Sequence, residues 1–114
     1  MERTYRVTVR GRFTDLTSQQ RTRLLAEQSD HGLFSATFSR EGTFLYGPEL
    51  AGYQFRSEVV IDEPDPVDAE TLARMQAEDH ATTDLENRGF QGRIVDVSAV
   101  CMNDIRVRRG SSRS

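Results

Sequence analysis

Five segments of the chain show the residue patterns of β-strands. They cover residues 5–13, 34–38, 43–46, 53–61 and 93–100. Most alternate apolar and polar side chains at a period of two, which is typical of strands with one buried and one solvated face. The longer strands place these side chains on the apolar side: Tyr5, Val7, Val9 and Phe13; Tyr53, Phe55, Val59 and Ile61; Val95, Val97, Ala99 and Cys101.

Two helices are predicted between these strands. Thr17 followed by Gln20 has the spacing of a capping box, and Gly32 is suited to ending the helix, so a first helix is predicted over about 18–30. Asp65 is suited to the N-cap and Pro66 to the first turn of a longer second helix that ends near Asn87. Its apolar stripe consists of Ala69, Leu72, Ala73, Ala77, Ala81 and Leu85.

The order βαβββαβ predicts an α+β fold, because the helices are separated by a meander of strands. We expect a ferredoxin-like antiparallel sheet with both helices on one face and the first and last strands side by side at its centre. A chain of 114 residues is sufficient for one domain, predicted over 1–109, with a disordered tail at 110–114.

Composition favours a soluble cytoplasmic protein. No apolar run approaches the roughly 20 residues of a membrane span, and the N-terminus has no signal-peptide pattern. The single cysteine, Cys101, excludes an internal disulfide and lies on an apolar strand position, so we expect a buried, unreactive thiol. All fifteen basic residues are arginine, a bias that indicates GC-rich codons and an actinobacterial source.

Four stretches resemble a family of small uncharacterised actinobacterial proteins that carry a domain of unknown function. They are 4–13, 24–27, 88–90 and 102–109. The resemblance supports one compact domain and implies no activity, since these stretches are strand and helix-end patterns.

One polar row follows the second helix beside its apolar stripe. Gln76, His80 and Asp84 are spaced by four residues, which places them above one another on the helix. Asp84 could orient the His80 ring and leave its other nitrogen free to transfer a proton. The alternative interpretation is a polar boundary between the buried stripe and solvent, or the flank of a contact between subunits.

Charged residues gather on the sheet face opposite the helices. The polar strand positions there are Arg6, Thr8, Arg10, Arg56, Glu58, Asp96 and Ser98. Cross-strand ion pairs on a solvated face would explain them, and so would an anion-binding cleft enclosed by a homodimer. These positions hold no aromatic residues for base stacking, and the net charge is −3, which together argue against nucleic acid. No metal or cofactor is expected, because His31 and His80 are far apart in sequence and lack neighbouring ligands.

Two functional hypotheses follow. The first is a non-catalytic domain that binds a small acidic or aromatic metabolite, or a protein partner, through Arg6, Arg10, Arg56 and Glu58. The second is a cofactor-free cyclase or isomerase of secondary metabolism, of the dimeric α+β barrel type, that acts on a polyketide-like substrate. In this enzyme His80, assisted by Asp84, or Asp96 moves the proton. Neither hypothesis requires a membrane.

Overall fold

The computed structural model describes residues 2–31 and 37–103. Their elements are β1 (Glu2–Phe13), α1 (Ser18–Glu27), a 3₁₀ turn (Gln28–His31), β2 (Thr43–Tyr46), β3 (Gly52–Asp62), α2 (Pro66–Asn87) and β4 (Gly92–Cys101). The four strands form one antiparallel sheet, so the protein has the α+β architecture predicted from its sequence.

The sheet order is β2-β3-β1-β4. β1 pairs with β3 over eleven residue pairs, from Glu2 opposite Asp62 to Arg12 opposite Gly52. On its other side β1 pairs with β4, so the first and last strands are neighbours as expected. β4 lies at the edge, however, and the two central strands are β1 and β3.

The core lies between α2 and one face of the sheet. Tyr5, Val7 and Val9 of β1 are buried there, as the alternation predicted. The alanine stripe of α2 is also buried, because side chains of one carbon let the helix approach the sheet closely. Leu24 of α1 joins the same cluster, whereas Leu72 is 40% exposed and does not belong to the buried stripe.

Side chains cap the starts of both helices by accepting backbone N–H groups. The Thr17 hydroxyl accepts the Gln20 N–H, and the Gln20 side chain accepts the Thr17 N–H, which completes the predicted capping box. α1 stops at Glu27 and the chain continues as the 3₁₀ turn, so the first helix is shorter than predicted. α2 begins at Pro66, where the Asp65 carboxylate accepts the N–H groups of Val67 and Asp68.

A β-bulge in β4 corrects one part of the predicted strand parity. The register against β1 shifts between Arg10, opposite Asp96, and Gly11, opposite Ile94, so Val95 has no partner. Ile94 therefore packs against the core, and Val95 is exposed. The prediction had reversed these two residues because it assumed uninterrupted alternation.

The predicted strand 34–38 falls largely on residues 32–36, which lie outside the described residues. Phe38 is described and belongs to no strand, while Ser39 forms an isolated parallel bridge with Ser57. The described residues thus contribute four strands to the sheet, against five in the predicted order. The predicted tail at 110–114 also lies outside them.

Candidate ligand-binding site

The face of the sheet away from α2, here called the open face, carries the polar positions predicted for it. Arg6 lies directly opposite Glu58, and Arg10 lies directly opposite Asp96. Between these two rows, Thr8 is flanked by Arg56 on β3 and Ser98 on β4. The strand register therefore brings together the four predicted ligand-binding residues, Arg6, Arg10, Arg56 and Glu58, and adds Asp96.

Ion pairs neutralise much of this charge. Arg6 Nε and Arg40 Nε each lie 3.8 Å from a Glu58 carboxylate oxygen, and Arg10 Nη1 lies 3.2 Å from Asp96 Oδ2. Exposed pairs of this kind contribute at most about 1 kcal/mol each. Their contribution to the stability of the fold is therefore small.

Phe38 lies over the open face between two of the predicted ligand residues. The guanidinium carbons of Arg6 and Arg56 each lie 5.5 Å from the centroid of its ring, within the range of cation–π attraction. The sequence placed Phe38 in a strand and missed this contact. Arg6 and Arg56 therefore both contact Phe38, and Arg6 also forms an ion pair with Glu58.

A cavity of about 780 Å³ lies at the end of the sheet where β2 leads into β3, and its lining comes from both faces of the sheet. It is lined by residues 45–49, which end β2 and begin the following turn, by residues 52–54 of β3, by Arg10 and Gly11 of β1, and by Gln28 and Ser29 of the 3₁₀ turn. Among the predicted ligand residues, Arg10 alone appears in this lining. Leu45, Gln54 and Arg10 form one row across β2, β3 and β1.

Two glycines shape the sheet beneath the cavity. A Cβ on Gly52 would lie 2.8 Å from the Gly11 carbonyl oxygen, and one on Gly11 would lie 2.3 Å from the Tyr53 ring. Both positions therefore exclude a side chain, and the Tyr53 ring lies directly over β1. A glycine in the interior of a strand, such as Gly11, often marks such close approach.

The lining is mainly apolar with a few polar groups. Leu45, Tyr46 and Tyr53 are buried, while the turn contributes Pro48 and the exposed Glu49. Burial raises the pKa of Tyr53 above its ordinary value of 10.0, so its hydroxyl stays protonated at neutral pH. Arg10 is the only cation among the described lining residues.

The predicted proton-transfer row is arranged differently from the expectation. Asp84 accepts a hydrogen bond from Arg88 Nε at 2.7 Å, and no hydrogen bond joins it to His80 among the described residues. The His80 ring instead meets Phe55 edge-on, with centroids 4.8 Å apart. Asp96 is on the open face, so the sheet separates it from His80 and Asp84.

His31 and Cys101, the remaining candidate residues, both pack against neighbouring side chains. His31 Nδ1 donates to the Phe44 carbonyl oxygen at 2.9 Å, and its ring stacks on Tyr46. Cys101 is partly buried against the core. Burial first, and the adjacent Cys101 next, raise the pKa of Tyr5 above its ordinary value. Across residues 2–31 and 37–103, no group of three or more His, Cys, Asp or Glu side chains is arranged to hold a metal.

Comparison with known proteins identifies the family. The sequence matches a family of unknown function (DUF6204) over residues 1–113. The chain belongs to this family. The function of the family is unknown, so membership gives no activity. No curated protein and no solved structure matches the chain. Among the described residues, no helix of this family member is long and apolar enough to cross a membrane.

Proposed function

We propose that this domain binds a small monocarboxylate with an apolar body in the cavity beside β2, with Arg10 as the carboxylate contact. The observation that carries the proposal is the position of Arg10, the only described cation in the lining of a 780 Å³ cavity. Cavities of roughly 300–1,000 Å³ with mainly apolar walls and few polar groups are typical of small-molecule sites.

Arg10 has unused hydrogen-bonding capacity. Its side chain is 47% exposed, and within the described residues it forms one side-chain hydrogen bond, from Nη1 to Asp96. A guanidinium carries five N–H donors, so several of them can bind a carboxylate while the Asp96 contact persists.

The rest of the lining supports a singly charged ligand. Glu49 and Asp96 are acidic neighbours of the site, and either would repel the second charge of a dianion. The exposed Pro48 and the small accessible parts of Leu45, Tyr46 and Tyr53 supply the apolar lining for an aromatic or aliphatic body. Gln28 Nε2 donates to the Tyr46 carbonyl and Gln54 Oε1 accepts from Arg56, so Gln28 Oε1 and Gln54 Nε2 are the amide atoms left for further polar groups.

We further propose that the fold is of the ferredoxin-like type. The element order β-α-β-β-α-β and the pairing of β1 with both β3 and β4 support this assignment. The proposed site then lies at the end of the sheet beside the β2–β3 turn, and Arg10 reaches it from the open face.

Isothermal titration calorimetry with benzoate, phenylacetate and cinnamate tests the site, with the corresponding amides as neutral controls. We expect at least one acid to bind and its amide to bind more weakly. Arg10→Ala should weaken binding of the acid by about tenfold or more, because a charge-assisted hydrogen bond contributes about 1.5–3 kcal/mol.

Arg6→Ala is the matched control. Arg6 is on the same strand and face, its side chain is 45% exposed, and it also pairs with a carboxylate, but it does not line the cavity. Binding by this variant should equal that of the wild type. Equal losses in the Arg6 and Arg10 variants, or equal affinity for acids and amides, would reject Arg10 as the carboxylate contact.

A further inference from the structure

Two arginines face each other at the end of the open face, outside the cavity. Arg12 on β1 lies directly opposite Arg93 on β4. Both are exposed, and neither side chain makes a hydrogen bond or ion pair among the described residues. Cross-strand neighbours have Cβ atoms about 4.5–5.5 Å apart, so two like charges here destabilise the sheet.

Within residues 2–31 and 37–103, no acidic side chain pairs with these two arginines, and both are exposed. On β3 the residue opposite Arg12 is Gly52, which has no side chain to cover it. The nearest acid in the strand register, Asp96, already accepts a hydrogen bond from Arg10. On the β4 side, the bulge at Val95 separates Arg93 from Asp96.

We propose that Arg12 and Arg93 form a phosphate-binding site. A phosphate monoester carries up to two negative charges on one compact group, which matches two guanidiniums held on adjacent strands. A carboxylate carries one charge and would leave the second arginine uncompensated. The site is distinct from the proposed carboxylate site, because neither arginine lines the cavity.

Titration of the ¹⁵N-labelled protein at low ionic strength tests the site, with inorganic phosphate in one arm and methyl phosphate in the other. Sodium chloride of equal ionic strength controls for screening. We expect saturable shifts of amide signals in residues 11–13 and 92–94 with both phosphates and none with chloride. Saturation by methyl phosphate alone would assign the site to a ligand-borne phosphate rather than to the free ion.

Arg12→Gln and Arg93→Gln should each reduce phosphate affinity by about tenfold or more. Arg21→Gln is the matched control, because Arg21 is exposed on α1 and its loss changes the net charge by the same amount. Without phosphate, both test variants should melt at or above the wild-type temperature, since each relieves like-charge repulsion.

Three results would overturn the proposal. One is the absence of saturable shifts with either phosphate. Another is an equal loss of affinity in the Arg21 variant, which would show that only net charge matters. The third is a fall in the melting temperature of both test variants without phosphate, which would show that the arginines are structural.

Discussion

At the scale of single residues, the His80 ring contacts an aromatic side chain of the sheet and not the carboxylate predicted to orient it. The imidazole meets Phe55 edge-on at 4.8 Å, and Asp84 is bound to Arg88. Edge-on aromatic pairs add about 0.5–1.5 kcal/mol beyond the burial of their surface. The His80 ring therefore has a packing partner at the boundary between α2 and the sheet.

We therefore expect His80→Ala to lower the free energy of unfolding by about 1 kcal/mol and His80→Phe to restore it. Chemical denaturation followed by circular dichroism measures both values. If the alanine variant is as stable as the wild type, or the phenylalanine variant is as unstable as the alanine one, the ring contact with Phe55 is not what holds His80.

The sequence predicted which residues share a face of the sheet, but not which of them line the cavity. Strand parity was enough to place Arg6, Arg10, Arg56, Glu58 and Asp96 on one face, because a period of two fixes the face of every residue. Parity could not distinguish Arg10 from Arg6. That difference arises from the β2–β3 turn and from Phe38, whose positions depend on contacts between segments distant in sequence.

At the scale of elements, local signals determined α2 and failed at the start of β4. Asp65 and Pro66 mark the beginning of α2, and its alanines repeat every four residues, so the sequence alone predicted its limits. The bulge at Val95 depends on which strand pairs with β4. No local pattern contains that information, and the predicted parity of Ile94 and Val95 was consequently wrong.

The bulge makes two single-residue deletions behave differently. Removing Val95 leaves Ile94 opposite Gly11 and Asp96 opposite Arg10 in a regular strand, so the fold should persist with a loss of at most about 1 kcal/mol. Removing Val97 instead moves Asp96 to the position opposite Val9, whose side chain is fully buried.

Deletion of Val97 should therefore cost about 2 kcal/mol or more, because an apolar side chain is lost and a carboxylate takes its place beside the core. Urea denaturation of both deletion variants provides the comparison. Equal losses in the two variants would show that the bulge does not control the parity of β4.

At the scale of the whole molecule, arginines concentrate at one end of the open face, whereas α2 is predominantly acidic. Arg10, Arg12 and Arg93 gather at that end with Asp96, while farther along the same face Arg6 lies opposite Glu58 and Glu2 lies opposite Asp62. α2 contains Asp68, Glu70, Glu78, Asp79, Asp84 and Glu86, with Arg74 as its only basic residue apart from His80. The net charge of −3 therefore conceals a local excess of arginine. Such an excess attracts anions even though the protein as a whole is acidic, which is consistent with both proposed sites.

The absence of lysine from the sequence gives the protein an unusually simple alkaline titration. Arginine stays charged at high pH, so the phenols are the main groups that ionise near pH 10. Burial is the largest cause that raises the pKa of each of the three tyrosines, Tyr5, Tyr46 and Tyr53, above 10.0. All three side chains are buried in the folded protein.

We expect stability to be independent of these groups below about pH 10 and to fall above it. Below that pH the phenols are protonated in both states, whereas above it the unfolded chain releases protons that the folded chain retains. Each such group contributes a slope of about 1.4 kcal/mol per pH unit, so three give at most about 4 kcal/mol per unit.

Urea denaturation between pH 8 and 11 in a Cys101→Ser background measures how steeply the free energy of unfolding falls with pH. Tyr53→Phe should reduce this slope by the contribution of one group, about 1.4 kcal/mol per pH unit. A slope unaffected by Tyr53→Phe, or tyrosinate absorbance that develops at pH 10 while the protein is still folded, would contradict the burial of these hydroxyls.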